Sequence, residues 1–224
     1  MVYALYGLVF GLLIPYISRR FEKFMPATPA YGLYRIIRSG KKVSADKRKK
    51  NPKYAKLMKA YRLRSLMYGL FVGVLSYLAF MRFGSSYAGW YLAFMWLMVL
   101  LAEIDYRMFL LPDILTYPLL LSGLCFALYL GNGAAVADSI IGAAGGYVVP
   151  VFASLFLVWK NKDVFGGGEI KLLSAVGARM GLENLLYVII LSCLFFGVYA
   201  LICKKRAGAF GPAVTAAVLV VAFL

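Results

Sequence analysis

Ile170-Lys-Leu-Leu-Ser-Ala-Val-Gly-Ala-Arg-Met-Gly181 is a 12-residue apolar piece, and its reading decides how often the chain crosses a membrane. At 1.5 Å per residue a helix of this length covers about 18 Å, short of the roughly 20 residues of an ordinary span. Seven longer apolar runs surround it, at about 2–18, 66–82, 88–104, 114–131, 136–159, 183–203 and 208–224. Charge settles whether the short piece crosses. The stretch from Arg19 to Arg64 holds 16 of the 25 Lys and Arg residues, against Glu22 and Asp46 as its acids. By the positive-inside rule it faces the cytoplasm. Residues 83–87 then face out, 105–113 face in, the turn near Asn132 and Gly133 faces out, and 160–169, with Lys160 and Lys162, faces in. Seven spans would leave Lys204, Lys205 and Arg206 outside; a crossing by 170–181 brings them in.

The sequence therefore predicts an all-α, polytopic membrane bundle of about eight transmembrane helices. Residues 1–18 form the first, 19–65 a basic cytoplasmic segment, and 66–224 the main bundle. A helix as short as 170–181 crosses only if its start is recessed in the bundle, which places Glu169 below the membrane surface. Composition agrees: 63% of residues are hydrophobic, mean hydropathy is +0.80, and 15% are charged, where soluble domains carry about 25%. The first apolar run has no basic stretch before it and reads as a retained helix, not a signal peptide.

The net charge of +16 invites a nucleic-acid reading. Beside transmembrane segments, a long and diffuse basic run reads better as a contact with anionic lipid, so no nucleic-acid partner is expected. Cys125, Cys193 and Cys203 stand alone in apolar runs and the chain has no His. A structural zinc site needs four clustered Cys or His ligands, so no metal is expected.

Two acidic groups interrupt the apolar sequence: Glu103-Ile-Asp105-Tyr-Arg107, followed by Leu111-Pro112-Asp113, and Phe165-Gly-Gly-Gly168-Glu169-Ile-Lys171. Ionisable groups at membrane depth are functional candidates by default; helix-end charges are the plainer reading. Both groups fall on the cytoplasmic side. Each lies beside a backbone breaker, Pro112 in one and Gly166-Gly167-Gly168 in the other, and glycine lets another chain approach closely. Without His, no Ser-His or Cys-His pair can form. Two carboxylates held close in low dielectric cannot both ionise. The ionised one takes a proton from an attacking water, and the protonated one donates to the carbonyl oxygen and then to the leaving amine.

At these residues the chain resembles the type 4 prepilin peptidases, the bacterial branch of the GxGD membrane aspartic proteases. Glu103 to Asp113, with Pro118-Leu119 and Gly123-Leu124, is similar to the family's first aspartate block. Gly142 to Tyr147 is similar to its Gly-rich helix, Gly166 to Ala178 to its GxGDxKLLAALGA stretch, and Phe210-Gly211-Pro212 to its closing FGP. The resemblance implies an all-α GxGD-type fold with Asp105 and Glu169 as the catalytic pair. Asp113, Lys171, Pro112, Gly166, Gly167 and Gly168 fall in supporting positions; Asp113 could equally cap the helix beginning near Ile114. It also implies a type IV prepilin as substrate, cut after the Gly that ends its leader, and a bacterial inner-membrane enzyme with its site facing the cytoplasm. Proteolysis of this kind uses no cofactor.

Two features depart from the family pattern. Position 169 is Glu where the motif has Asp, and one methylene moves the carboxyl by roughly 1.5 Å, where catalytic geometry tolerates about 0.5 Å. A natural variant with a compensated backbone, an inactivated homologue that binds prepilin without cutting it, and an engineered substitution all fit; the expectation is reduced or absent activity. The chain also lacks the paired CxxC motifs many members carry, and so looks like the short, cysteine-free type seen with type IVb pili. The resemblance leaves open the family's second activity, N-methylation of the new N-terminus with S-adenosylmethionine as cofactor, though no Gly-rich nucleotide fingerprint supports it here. A non-enzymatic transporter or scaffold is the rival from another class, but transporters of that kind show broken helices in two repeated halves, and no such repeat is present.

Overall fold

In a bilayer every backbone N–H and C=O must be satisfied within the protein, and helices do this locally. The computed structural model describes residues 2–24, 52–159, 166–203 and 208–224, and the described residues form helices without strands. They are α1 (Val2–Phe24), α2 (Pro52–Met108), α3 (Asp113–Tyr129), α4 (Gly133–Trp159), α5 (Gly167–Cys203) and α6 (Gly211–Phe223). Among the described residues, four stretches are long and apolar enough to cross a membrane: Val2–Phe21, Met58–Met108, Gly133–Phe156 and Gly167–Cys203. The chain is a multi-pass, all-α membrane protein.

Two helices are too long for one crossing. A straight α2 of 57 residues would measure about 85 Å, roughly twice a bilayer with its headgroups. It is broken at Gly84 (φ 71°, ψ 174°), a conformation essentially reserved for glycine. The connection expected over 83–87 is thus reduced to one non-helical residue. α5 is broken in the same way at Gly181 (φ 79°, ψ 174°). Six helices, two of them broken once, make eight helical segments among the described residues. The break at Gly181 separates off the short piece whose length and flanking charges marked it as a distinct helix.

The chain divides into two compact units, Met1–Ala88 and Gly89–Leu224. In the first, glycines of α1 let it lie close against α2, as small residues do in membrane interfaces. A Cβ at Gly7 would stand 2.7 Å from Ser76 Cβ, and one at Gly11 2.8 Å from Gly69 Cα. Of the expected basic segment 19–65, residues 25–51 lie outside the described residues and 52–65 are helical, as the start of α2.

In the second unit α5 is the hub, packing on α3, α4 and α6. Every residue from Leu172 to Arg179 is buried, so its first segment is enclosed on all sides, as a helix apolar all round should be. Small residues let α4 approach it: a Cβ at Gly146 would stand 2.7 Å from Ser174 Cα, and Ser174 Oγ donates to Ala143 C=O at 2.8 Å. At the break, Leu182 N–H donates to Asp138 Oδ1 at 3.2 Å. A Cβ at Gly181 would sit 2.7 Å from Asp138 Cγ. Gly181→Ala therefore meets both backbone strain, about 1–3 kcal/mol, and a clash. It should lower the midpoint of thermal unfolding in detergent, while Gly133→Ala, where a Cβ meets nothing within 4 Å, should not.

Candidate active site

Asp105 lies in the last turn of α2 and is buried, with 3% of its surface exposed. Its Oδ2 accepts the Gly211 N–H at 2.7 Å, across 106 residues of sequence. Two residues earlier Glu103 is also buried, but it pairs with Arg107 at 2.5 Å, one helical turn on. The helix then ends: Phe109 takes a left-handed conformation (φ 52°) while its N–H still bonds Asp105 C=O at 2.8 Å. A non-glycine residue in that region is uncommon, and here it sits in the turn between Asp105 and Leu111-Pro112-Asp113.

Pro112 is extended (φ −73°, ψ 130°) and is the N-cap residue of α3, with no side-chain cap bond. Asp113 is therefore not the cap considered for it. It occupies the first turn, where a carboxylate complements the helix dipole, and holds Lys171 Nζ at 2.7 and 2.8 Å. That ammonium also lies 5.3 Å from the Tyr117 ring centroid. Both partners are substantially exposed, and such pairs contribute about 0–1 kcal/mol. Their effect is local, tying the start of α3 to the start of α5.

The glycine run meets the same segment from the other side. A Cβ at Gly168 would stand 2.8 Å from Leu111 Cβ and 3.2 Å from its carbonyl oxygen, so bulk at 168 would push the two strands of chain apart. Gly166 is the N-cap of α5: its C=O accepts from Glu169 N–H at 3.0 Å and Ile170 N–H at 3.2 Å. Glu169 thus falls at the third helical position, and its Oε2 reaches back to accept Gly166 N–H at 3.0 Å. This is the reciprocal half of a capping box, for which Glu has the right length. The extra methylene at 169 therefore has a local use. Glu169 also lies close enough to Asp105 to interact with it electrostatically.

The structure thus gathers Asp105, Leu111-Pro112, Gly166 to Glu169 and Gly211 into one site, with Asp113 and Lys171 paired beside it. Residues 92–201 match the type IV leader peptidase family. The match spans just under half of the chain, and over it the chain is similar to that family. A prepilin leader peptidase/N-methyltransferase of Aeromonas hydrophila is 40% identical over 117 residues, covering 50% of this chain and 39% of the relative. One from Vibrio cholerae serotype O1 is 39% identical over 94 residues, covering 41% and 36%. One from Neisseria gonorrhoeae is 34% identical over 109 residues, covering 47% and 38%. The chain spans less than two fifths of the length of these curated relatives. No solved structure matches it. The family match holds both acidic groups and the glycine run; Phe210-Gly211-Pro212 lies beyond it.

Sequence reasoning missed two residues. Gly211 was legible only as part of a motif, although glycine followed by proline at a helix start exposes one backbone donor. Arg179 was passed over. It is buried, its three guanidinium nitrogens have no hydrogen-bond partner among the described residues, and its Cζ lies 3.5 Å from the Phe126 and 4.2 Å from the Tyr91 ring centroids. A lone Arg inside an apolar run was the available signal. Its aromatic cage holds the short segment of α5 through cation–π contact.

Proposed function

We propose that this chain is a prepilin leader peptidase of the bacterial inner membrane. It cuts after the Gly that ends the leader, at the cytoplasmic face, with Asp105 and the carboxylate at position 169 as its acid pair. The observation that carries this reading is the meeting of the Asp105 turn, the Leu111-Pro112 segment and the glycine run at the start of α5. One carboxylate takes a proton from the attacking water; the other gives one to the carbonyl oxygen and then to the leaving amine. A recessed site beside the membrane surface lets the prepilin's apolar helix stay in lipid while its leader junction enters. The main bundle of residues 66–224 carries this chemistry, and the basic 19–65 segment rests on anionic lipid.

The relatives' names include N-methyltransferase. Among the described residues, Gly168 is closed by Leu111 and the Gly166 N–H is taken by Glu169, while a Cβ at Gly167 would meet nothing within 4 Å. S-adenosylmethionine thus finds no room at Gly166 or Gly168, the two glycines already engaged.

One observation favours a second reading, a homologue that binds prepilin without cutting it: the Glu169 carboxylate is engaged as a helix cap. Cleavage of a prepilin with a Gly-ending leader by the purified chain and its Glu169→Asp variant separates the two. Cutting restored by aspartate supports the acid pair. Capture of prepilin by both, with cutting by neither, supports the binding protein.

A further inference from the structure

Asp105 reaches the start of α6 through a turn in which each residue has a separate task. Phe210 is buried and packs edge-on against Phe196, with centroids 5.6 Å apart and rings at 72°, which fixes where α6 begins. Gly211 supplies a first-turn N–H, a donor with no partner inside its own helix, and the Asp105 carboxylate accepts it. Gly211 also supplies room. A Cβ there would stand 2.7 Å from Asp105 Oδ2, 3.1 Å from its Cβ and 3.2 Å from its Cγ. Pro212 needs no acceptor and its fixed φ suits the first turn. One turn on, Thr215 Oγ1 donates to Met98 C=O at 3.2 Å, a second tie between the same two helices.

We infer that Gly211 is a positioning residue for the reaction proposed above. Its N–H and its bare Cα hold the Asp105 carboxylate in one orientation, Oδ2 tied to the start of α6 and Oδ1 left for water or substrate. The kinetic part of this inference rests on the peptidase reading; the contact itself does not, and the two have separate tests.

The contact is read on the full chain in detergent micelles with 15N-labelled glycine, the Gly211 amide being the signal lost in Gly211→Ala. On Asp105→Asn that signal should shift more than those of glycines remote from the site, because its acceptor changes from a carboxyl to an amide oxygen. An unmoved Gly211 amide overturns the inference, whether or not the chain cuts prepilin.

The consequence is read in the Glu169→Asp background. Gly211→Ala should lower kcat about 10- to 100-fold with little change in KM, the scale of loss that follows displacement of a catalytic group by a fraction of an ångström to 1 Å. Gly197→Ala, whose Cβ meets nothing within 4 Å, should leave kcat unchanged. Equal kcat in the Gly211→Ala and parent proteins overturns the positioning role. A parent that never cuts, with the amide shift intact, overturns the peptidase reading and the kinetic role with it, and keeps the contact.

Discussion

Replacing Glu169 with aspartate raises the rate of leader cleavage by about 100-fold or more. The reason lies in where position 169 falls on α5. As the third residue of the helix, Glu169 spends its carboxylate on the N-cap N–H of Gly166, a geometry that Glu fits and that stabilises the helix start. The same reach carries the carboxyl roughly 1.5 Å beyond where aspartate would hold it, and catalytic groups tolerate about 0.5 Å; misplacement near 1 Å costs on the order of 100-fold. The gain in rate comes with a weaker cap, so Glu169→Asp should also unfold at a lower temperature, by a loss of about 1 kcal/mol. Glu169→Gln separates the two effects. Its amide oxygen can still accept from Gly166, so stability stays near the parent's, but it cannot exchange a proton and should show no gain in cutting. If Glu169→Asp cuts no faster than the parent, the extra methylene is not what limits this chain.

The second large effect is loss of cleavage in Asp105→Asn, by about 1000-fold or more in the Glu169→Asp background, within the range that general acid–base catalysis contributes. Asparagine is nearly the same shape, and its oxygen can still accept the Gly211 N–H. The fold should therefore persist, with thermal unfolding close to the parent's. What disappears is the ability to take up and give back a proton. Retention of cleavage by a well-folded Asp105→Asn protein would remove Asp105 from the chemistry.

Much of the fold could be read from hydropathy and charge because a membrane leaves few alternatives. Lys204, Lys205 and Arg206 demanded an additional segment before 183–203, and the structure delimits one at Gly181. The glycine run and the Leu111-Pro112-Asp113 segment could be picked out as breakers, but not that they touch each other through Gly168 and Leu111. Periodicity within one helix says nothing about which loops meet across a bundle. The connection expected over 83–87 is one glycine at positive φ, because a single residue at that φ and ψ ends one helix and starts another. At the site, residue types pointed to Asp105 and Glu169, yet the direction of each carboxylate was out of reach. That Asp105 turns to Gly211, and Glu169 back to Gly166, depends on where two helix starts come to lie, which is a property of the packed bundle. Asp113 shows the opposite limit. It sat beside a helix start and suggested a cap, but the chain enters the helix one residue earlier, at Pro112, and its carboxylate is free to take Lys171.

The most direct test of the acid-pair account is mass spectrometry of a prepilin with a Gly-ending leader after incubation with the Glu169→Asp protein in lipid nanodiscs, beside the same protein carrying Asp105→Asn. The account predicts one new N-terminus, at the residue after that Gly, from the first protein and intact prepilin from the second. Intact prepilin from both, or the same cut from both, would contradict it.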